Sequence, residues 1–73
     1  MDIKVKFGKQ LRHIRIQKGL SQEKLANLAE LDRTYIPSIE KGERNISIET
    51  IAKLAKALEV EISFFFKDIE NGS

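Results

Sequence analysis

The chain's 73 residues predict one domain spanning 1–73, with a core so small that such folds ordinarily lean on disulfides, a metal or a partner subunit. There is no Cys and only His13 among the histidines, so neither a disulfide nor a metal site is expected and association with a second copy remains. No apolar run nears the roughly 20 residues that cross a bilayer and no signal-peptide core follows the lysine-rich start, which points to a soluble, cytoplasmic protein, while a net charge of +2 by itself announces no partner.

Phe7, Leu11 and Ile14 recur at spacings of four and three, which predicts a helix from about Lys4 to Lys18 with Gly19 as its stop. This is also the basic end of the chain: residues 1–20 carry six cations (Lys4, Lys6, Lys9, Arg12, Arg15 and Lys18) against Asp2 alone, whereas residues 46–73 carry three against five anions. Such asymmetry suits a molecule that turns one face to a polyanion, and it suits a merely solvated helix equally well. Ser21 is placed to cap a second helix to about Ala29, with Leu25, Leu28 and Ala29 as its apolar stripe.

Asp32 is the next capping residue and opens a third helix, in which Ile36 and Ile39 face inward and which Gly42 ends. Pro37 complicates it. With Asp32 as cap, Pro37 is the fifth helical residue, removing the bond to the Arg33 carbonyl and crowding that oxygen. Either the helix is kinked at its start, or it begins at Ile36–Pro37 after a looser turn that takes Arg33 and Thr34 off the helix. The first is expected, because Asp32 caps well and Ile36 keeps its register.

After a polar loop, 43–46, Ser47 caps a fourth helix whose Ile48, Ile51, Ala52, Leu54, Ala55 and Leu58 line the buried side. The run Ile62–Phe66 has a strand's composition but no partner strand, so a short fifth helix capped near Ser63 is expected. Residues 71–73 should fray. There is no internal repeat, linker or low-complexity tract.

The segment Leu20-Ser21-Gln22-Glu23-Lys24-Leu25-Ala26, then Leu31-Asp32-Arg33-Thr34-Tyr35-Ile36, then Ile39-Glu40-Lys41-Gly42, resembles the helix-turn-helix of the Xre/Cro family of repressors. The resemblance covers about residues 7–66. Arg33 to Ile36 followed by Gly42-Glu43-Arg44-Asn45-Ile46-Ser47 is most similar to controller proteins of restriction–modification systems. The implied fold is all-α, a compact five-helix bundle of the lambda-repressor-like type. Its helix-turn-helix falls at about 21–41, with a three-residue joint, and its dimerisation segment at about 60–69.

The third helix then offers its N-terminal end to the major groove. Arg33 can give a bidentate pair to guanine and Thr34 a hydroxyl and methyl to thymine, with Ser38 a further base-contact candidate one turn on. Tyr35 is expected on phosphate or sugar or beside the bases, with a core role as the alternative. Gln22, at the start of the second helix, is a phosphate contact or a simple cap. Lys41, Arg44 and Asn45 belong to the loop that follows the DNA backbone in the family. Family position pairs Arg15 with Glu40 as a partly buried ion pair that orients the recognition helix, whereas His13 is read simply as a surface residue. It makes Phe65 a core residue and Ile62 and Phe64 dimer contacts. Where relatives often carry Gly in the second turn this chain has Glu30, at a cost of about 1–2 kcal/mol in a left-handed conformation.

The expected function is sequence-specific regulation of transcription, as a controller of a restriction–modification operon that binds a two-fold symmetric site on double-stranded DNA as a homodimer. An antitoxin or phage-type repressor is the near alternative, and a protein-interaction adaptor the distant one. No paired carboxylates, Cys–His pair, Ser–His–Asp set or phosphate-cradling Gly loop suggests an enzyme. No cofactor, small-molecule ligand or membrane contact is expected.

Overall fold

The computed structural model describes residues 2–67. The end expected to fray, 71–73, and positions 68–69 of the dimerisation segment lie outside the described residues. The Asp2 carboxylate accepts the Lys4 backbone N–H at 2.9 Å and so caps the first helix, α1, Ile3–Gln17. Serine hydroxyls do the same for two others. Ser21 accepts from the Lys24 N–H at 3.0 Å at the head of α2, Gln22–Ala29. Ser47 accepts from the Thr50 N–H at 3.1 Å at the head of α4, Ile48–Leu58. In each case a side chain satisfies one of the backbone donors that a helix start leaves without a partner.

The helix ends share one device. At the close of α1 the Leu20 N–H reaches back to the Arg15 carbonyl at 3.1 Å and the Gly19 N–H to Ile16 at 3.0 Å, with Gly19 at φ 73°. The same paired bonds recur after α2, after the third helix and after α4. Gly42 supplies the positive φ after the third helix, but Glu30 and Glu59, both at φ 58°, supply it after α2 and α4. The expectation for Glu30 is met, and Glu59 repeats it.

The third helix, α3, departs from expectation. It spans Tyr35–Glu40, so the joint after α2 runs over residues 30–34 rather than three, and Arg33 and Thr34 form a turn ahead of the helix. Asp32 still caps, but it caps that turn: its carboxylate accepts the Thr34 N–H at 3.1 Å and its carbonyl the Tyr35 N–H at 3.0 Å. The reason is Pro37. In a helix begun at Arg33 it would lack a required donor. As the third residue of α3 it stands where the N–H has no helical partner in any case.

The elements among the described residues are all helical: four α-helices and, in place of an expected fifth, a 3-10 helix over Ile62–Phe66. The Phe64 N–H donates to the Glu61 carbonyl at 3.0 Å, the tighter spacing that short runs adopt. Phe65 is buried at 1 % exposure, its ring 5.0 Å from that of Phe7, and it closes the core built by Leu11, Ile14, Leu25, Ile36, Ile39, Leu54 and Leu58. Helix α1 packs mainly on α3 and the 3-10 helix, and α2 mainly on α4 and α3.

Three residues expected inside lie outside. Leu28 is 49 % and Ile48 81 % exposed, and Ala52 is exposed too. The buried stripe of α2 is centred on Leu25, Ala26 and Ala29, which turns Leu28 to the flank. That of α4 is centred on Leu54, Ala55 and Leu58, which leaves Ile48 and Ala52 on the solvent side.

Candidate nucleic-acid interface

A charged knot fixes α3 from beneath. Arg15 on α1 donates from Nε to Glu40 Oε2 at 2.7 Å, from Nη2 to Glu40 Oε1 at 3.2 Å, and from Nη1 to the Leu20 carbonyl at 2.8 Å. The two side chains are 10 % and 4 % exposed. The expected pair is therefore present, and it is bidentate, the geometry in which a guanidinium fork matches a carboxylate best. Gln22 adds what the sequence did not suggest: its amide Nε2 donates to Glu40 Oε1 at 3.1 Å. One cluster thus joins α1, the turn after it, the first residue of α2 and the last of α3. No buried side-chain nitrogen or oxygen among the described residues lacks a partner.

On the solvent side, Arg33 is exposed in the turn, its Nη1 3.9 Å from Glu23 Oε2, a surface pair that contributes little and yields readily to another anion. Thr34 is exposed beside it, its hydroxyl donating to the Asp32 carboxylate. The hydroxyl and backbone hydrogen bonds from Thr34 hold the Asp32 carboxyl below its ordinary range, with smaller help from the charges of Arg33 and Arg44. Neither Arg33 nor Thr34 is covered by the protein's own chain.

Tyr35 begins α3 half-buried, and the Arg44 guanidinium lies 4.2 Å above its ring centroid. Ser38, one turn along, donates its hydroxyl to the Tyr35 carbonyl at 2.9 Å and accepts the Arg44 Nε at 2.9 Å. So the structure brings Tyr35, Ser38 and Arg44 together, and sets Arg33 and Thr34 directly before them. Lys41 follows the last residue of α3 in an exposed position, and Asn45 is exposed in the loop beyond it, beside Ile3, Lys4 and Phe66. His13 lies exposed on α1, as expected.

Several of these links carry no signal in periodicity. Ser38 and Arg44 are separated by Gly42, whose φ of 76° reverses the chain and folds the loop back on α3. The Gln22–Glu40 bond spans two helices. A further determinant is Gly8: a Cβ there would sit 2.3 Å from the Ile39 carbonyl oxygen, so α1 and α3 meet backbone to backbone directly behind the exposed face.

Two short helices, the second held against the first by a buried charge cluster and presenting an uncovered, cationic leading end, define a helix-turn-helix regulator of transcription. The chain belongs to the helix-turn-helix family HTH_3, which matches residues 11–65. Within it the chain is similar to control proteins. It is 46% identical over 70 residues to the control protein C.MunI of Mycoplasma sp, covering 94% of this chain and 95% of that protein. It is 49% identical over 61 residues to the control protein C.BamHI of Bacillus amyloliquefaciens, covering 82% and 75%. The crystal structure of the restriction-modification controller protein C.AhdI from Aeromonas hydrophila, 52% identical, matches with a TM-score of 0.85 over 86% of this chain and 96% of that one. No helix among the described residues is long and apolar enough to cross a membrane.

Proposed function

We propose that the protein is a controller of a restriction–modification operon that binds a two-fold symmetric operator as a homodimer. The observation that carries this reading is the uncovered pair Arg33 and Thr34 at the mouth of a helix fixed from behind by the Arg15–Glu40 cluster. Arg33, free of any strong partner, supplies a bidentate donor to guanine O6 and N7, and Thr34 meets a thymine edge. Gln22, Tyr35, Lys41, Arg44 and Asn45 are assigned to phosphates, for which they supply donors and charge, and such contacts position the protein without reading sequence. The placement of Arg33 and Thr34 in a turn, rather than inside α3, suits this use: two successive side chains leave the backbone without a helical neighbour ahead of them.

The size of one copy supports a second. The described residues extend 32 Å along their longest axis, less than the roughly 34–36 Å between half-sites one helical turn apart, so one copy reads one half-site. Ile62, at 44 % exposure, and Phe64, half-buried, supply apolar surface at the far end for the pairing contact.

Selection of binding sites from random duplex DNA tests the reading. The expected result is a two-fold symmetric site whose affinity falls steeply with salt. Arg33→Ala should relax preference at one symmetric pair of positions, with about 1–3 kcal/mol lost in discrimination. A protein that ignores duplex DNA at low salt, or an Arg33→Ala variant weakened equally on every sequence, overturns it.

A further inference from the structure

Ser38 stands half-buried on α3 one turn beyond Thr34, where a hydroxyl would ordinarily be assigned to a base edge. Its bonds argue otherwise. A serine hydroxyl has one proton to give and two lone pairs to offer. The proton faces two backbone acceptors of the preceding turn, the Tyr35 carbonyl at 2.9 Å and the Thr34 carbonyl at 3.2 Å, and one lone pair is taken by Arg44 Nε at 2.9 Å. To donate to a base, Ser38 would have to release its backbone acceptor, and only one lone pair is left to accept from one.

Arg44 gains what Ser38 gives up. Its guanidinium is gripped at two points, edge-on at Nε by Ser38 and face-on at 4.2 Å by the Tyr35 ring. Stacking on an aromatic face fixes the plane of the fork, and a bond at Nε fixes its rotation within that plane. Of the five guanidinium N–H donors, four remain, those of Nη1 and Nη2. Both grips come from α3, although Arg44 belongs to the loop beyond Gly42. A long side chain that a mobile loop would leave to search for its partner is therefore mounted on the recognition helix. A phosphate, reachable from many directions, gains little from such fixing. A base edge, which demands a set direction for two donors, gains a great deal.

We infer that Ser38 is a positioning residue that acts through Arg44, and that Arg44 is a specificity-determining side chain and not only a backbone contact. This rests on the reading of α3 as the element that enters DNA.

A double-mutant cycle on the selected operator separates the possibilities. Ser38→Ala should weaken operator binding about tenfold in the parent, the scale of one hydrogen bond to a charged group, yet change nothing in an Arg44→Ala background. Ser38→Thr, which keeps the hydroxyl, should restore most of the loss. Repeating the site selection with Ser38→Ala and with Arg44→Lys should blur preference at the same symmetric pair of positions, distinct from the pair that Arg33 governs. Circular dichroism at the assay temperature checks that each variant is folded. Equal losses from Ser38→Ala with and without Arg44 overturn the inference, because Ser38 then makes its own contact. Coupled losses that are uniform across all sequences overturn the specificity role, leaving Arg44 on phosphate. If the parent protein fails to bind any duplex, the failure belongs to the DNA-binding reading itself and both fall.

Discussion

Taking the Arg15 guanidinium and the Glu40 carboxylate out of water costs several kcal/mol for each ion, and only close geometry offsets it. Here all three guanidinium nitrogens of Arg15 and both oxygens of Glu40 are hydrogen-bonded, so the arrangement holds as a unit and fails as one. Glu40→Ala leaves a cation, 10 % exposed, without its partner. The expected loss is about 3–5 kcal/mol, close to all the stability that a core of this size supplies, and urea denaturation followed by circular dichroism measures it. Replacing both partners together, Arg15→Met with Glu40→Leu, should cost far less, since no charge is then stranded. A Glu40→Ala variant that melts like the parent would mean that water reaches the pair. The pair is thus a device of orientation: it names which end of α1 sits against which end of α3, and Gln22 ties α2 to the same point.

At the scale of elements, α1 and α3 touch without side chains between them, because Gly8 admits the Ile39 and Glu40 carbonyls to 2.3 and 2.8 Å of where a Cβ would stand. Helix propensity alone would make Gly8→Ala favourable by about 1 kcal/mol. The steric conflict is with backbone, which cannot rotate aside, and overpacking of this kind costs about 1–3 kcal/mol. The expected outcome is a lower melting temperature together with weaker operator binding, because the displaced element is the one proposed to carry the contacts. A neutral or stabilising Gly8→Ala would overturn the close approach. Glu30→Gly should act in the opposite direction: removing a left-handed penalty of about 1–2 kcal/mol outweighs the added freedom of the unfolded chain, about 0.4–1 kcal/mol. A thermal melt should rise by a few degrees. Gly8 and Glu30 also bear on where the sequence is legible and where it is not. Caps and stops are local, so Ser21, Ser47, Gly19 and Gly42 announce the helix ends, and the spacing of Phe7, Leu11 and Ile14 announces the core face of α1. The start of α3 is not legible because Asp32 is a true cap of a turn that looks, residue by residue, like a helix's first turn. The exposure of Leu28, Ile48 and Ala52 is not legible either, because a stripe a single residue wide of centre changes from core to flank, and short helices give too few turns to fix the centre. The Arg15–Glu40 pair was reachable only through family resemblance, and the Ser38–Arg44 and Gln22–Glu40 bonds not at all, since they depend on how the chain returns through space.

For the whole molecule the governing quantity is how many phosphates one particle meets at once. Charge on a single copy is modest, +2 in all, and the salt slope of binding scales with the number of phosphates neutralised. Two copies joined rigidly double that number and convert the second half-site contact into an intramolecular event, which raises affinity without a new kind of contact. The apolar surface at Ile62 and Phe64 should form that joint, at the end of the chain where anions outnumber cations and repulsion from DNA would be greatest. Phe65 is the wrong residue to perturb, being sealed in the core at 1 % exposure, whereas Ile62 is open to solvent and can carry a charge without harm to the fold. Ile62→Glu should therefore leave the circular dichroism spectrum unchanged and sediment as a single copy at concentrations where the parent is a dimer. Its operator binding should fall by orders of magnitude, and its salt slope should drop towards half. An Ile62→Glu protein that remains dimeric would move the joint to another exposed apolar residue, with Ile48 at 81 % exposure the next to test, and the two recognition ends would then be set at a different separation on the duplex.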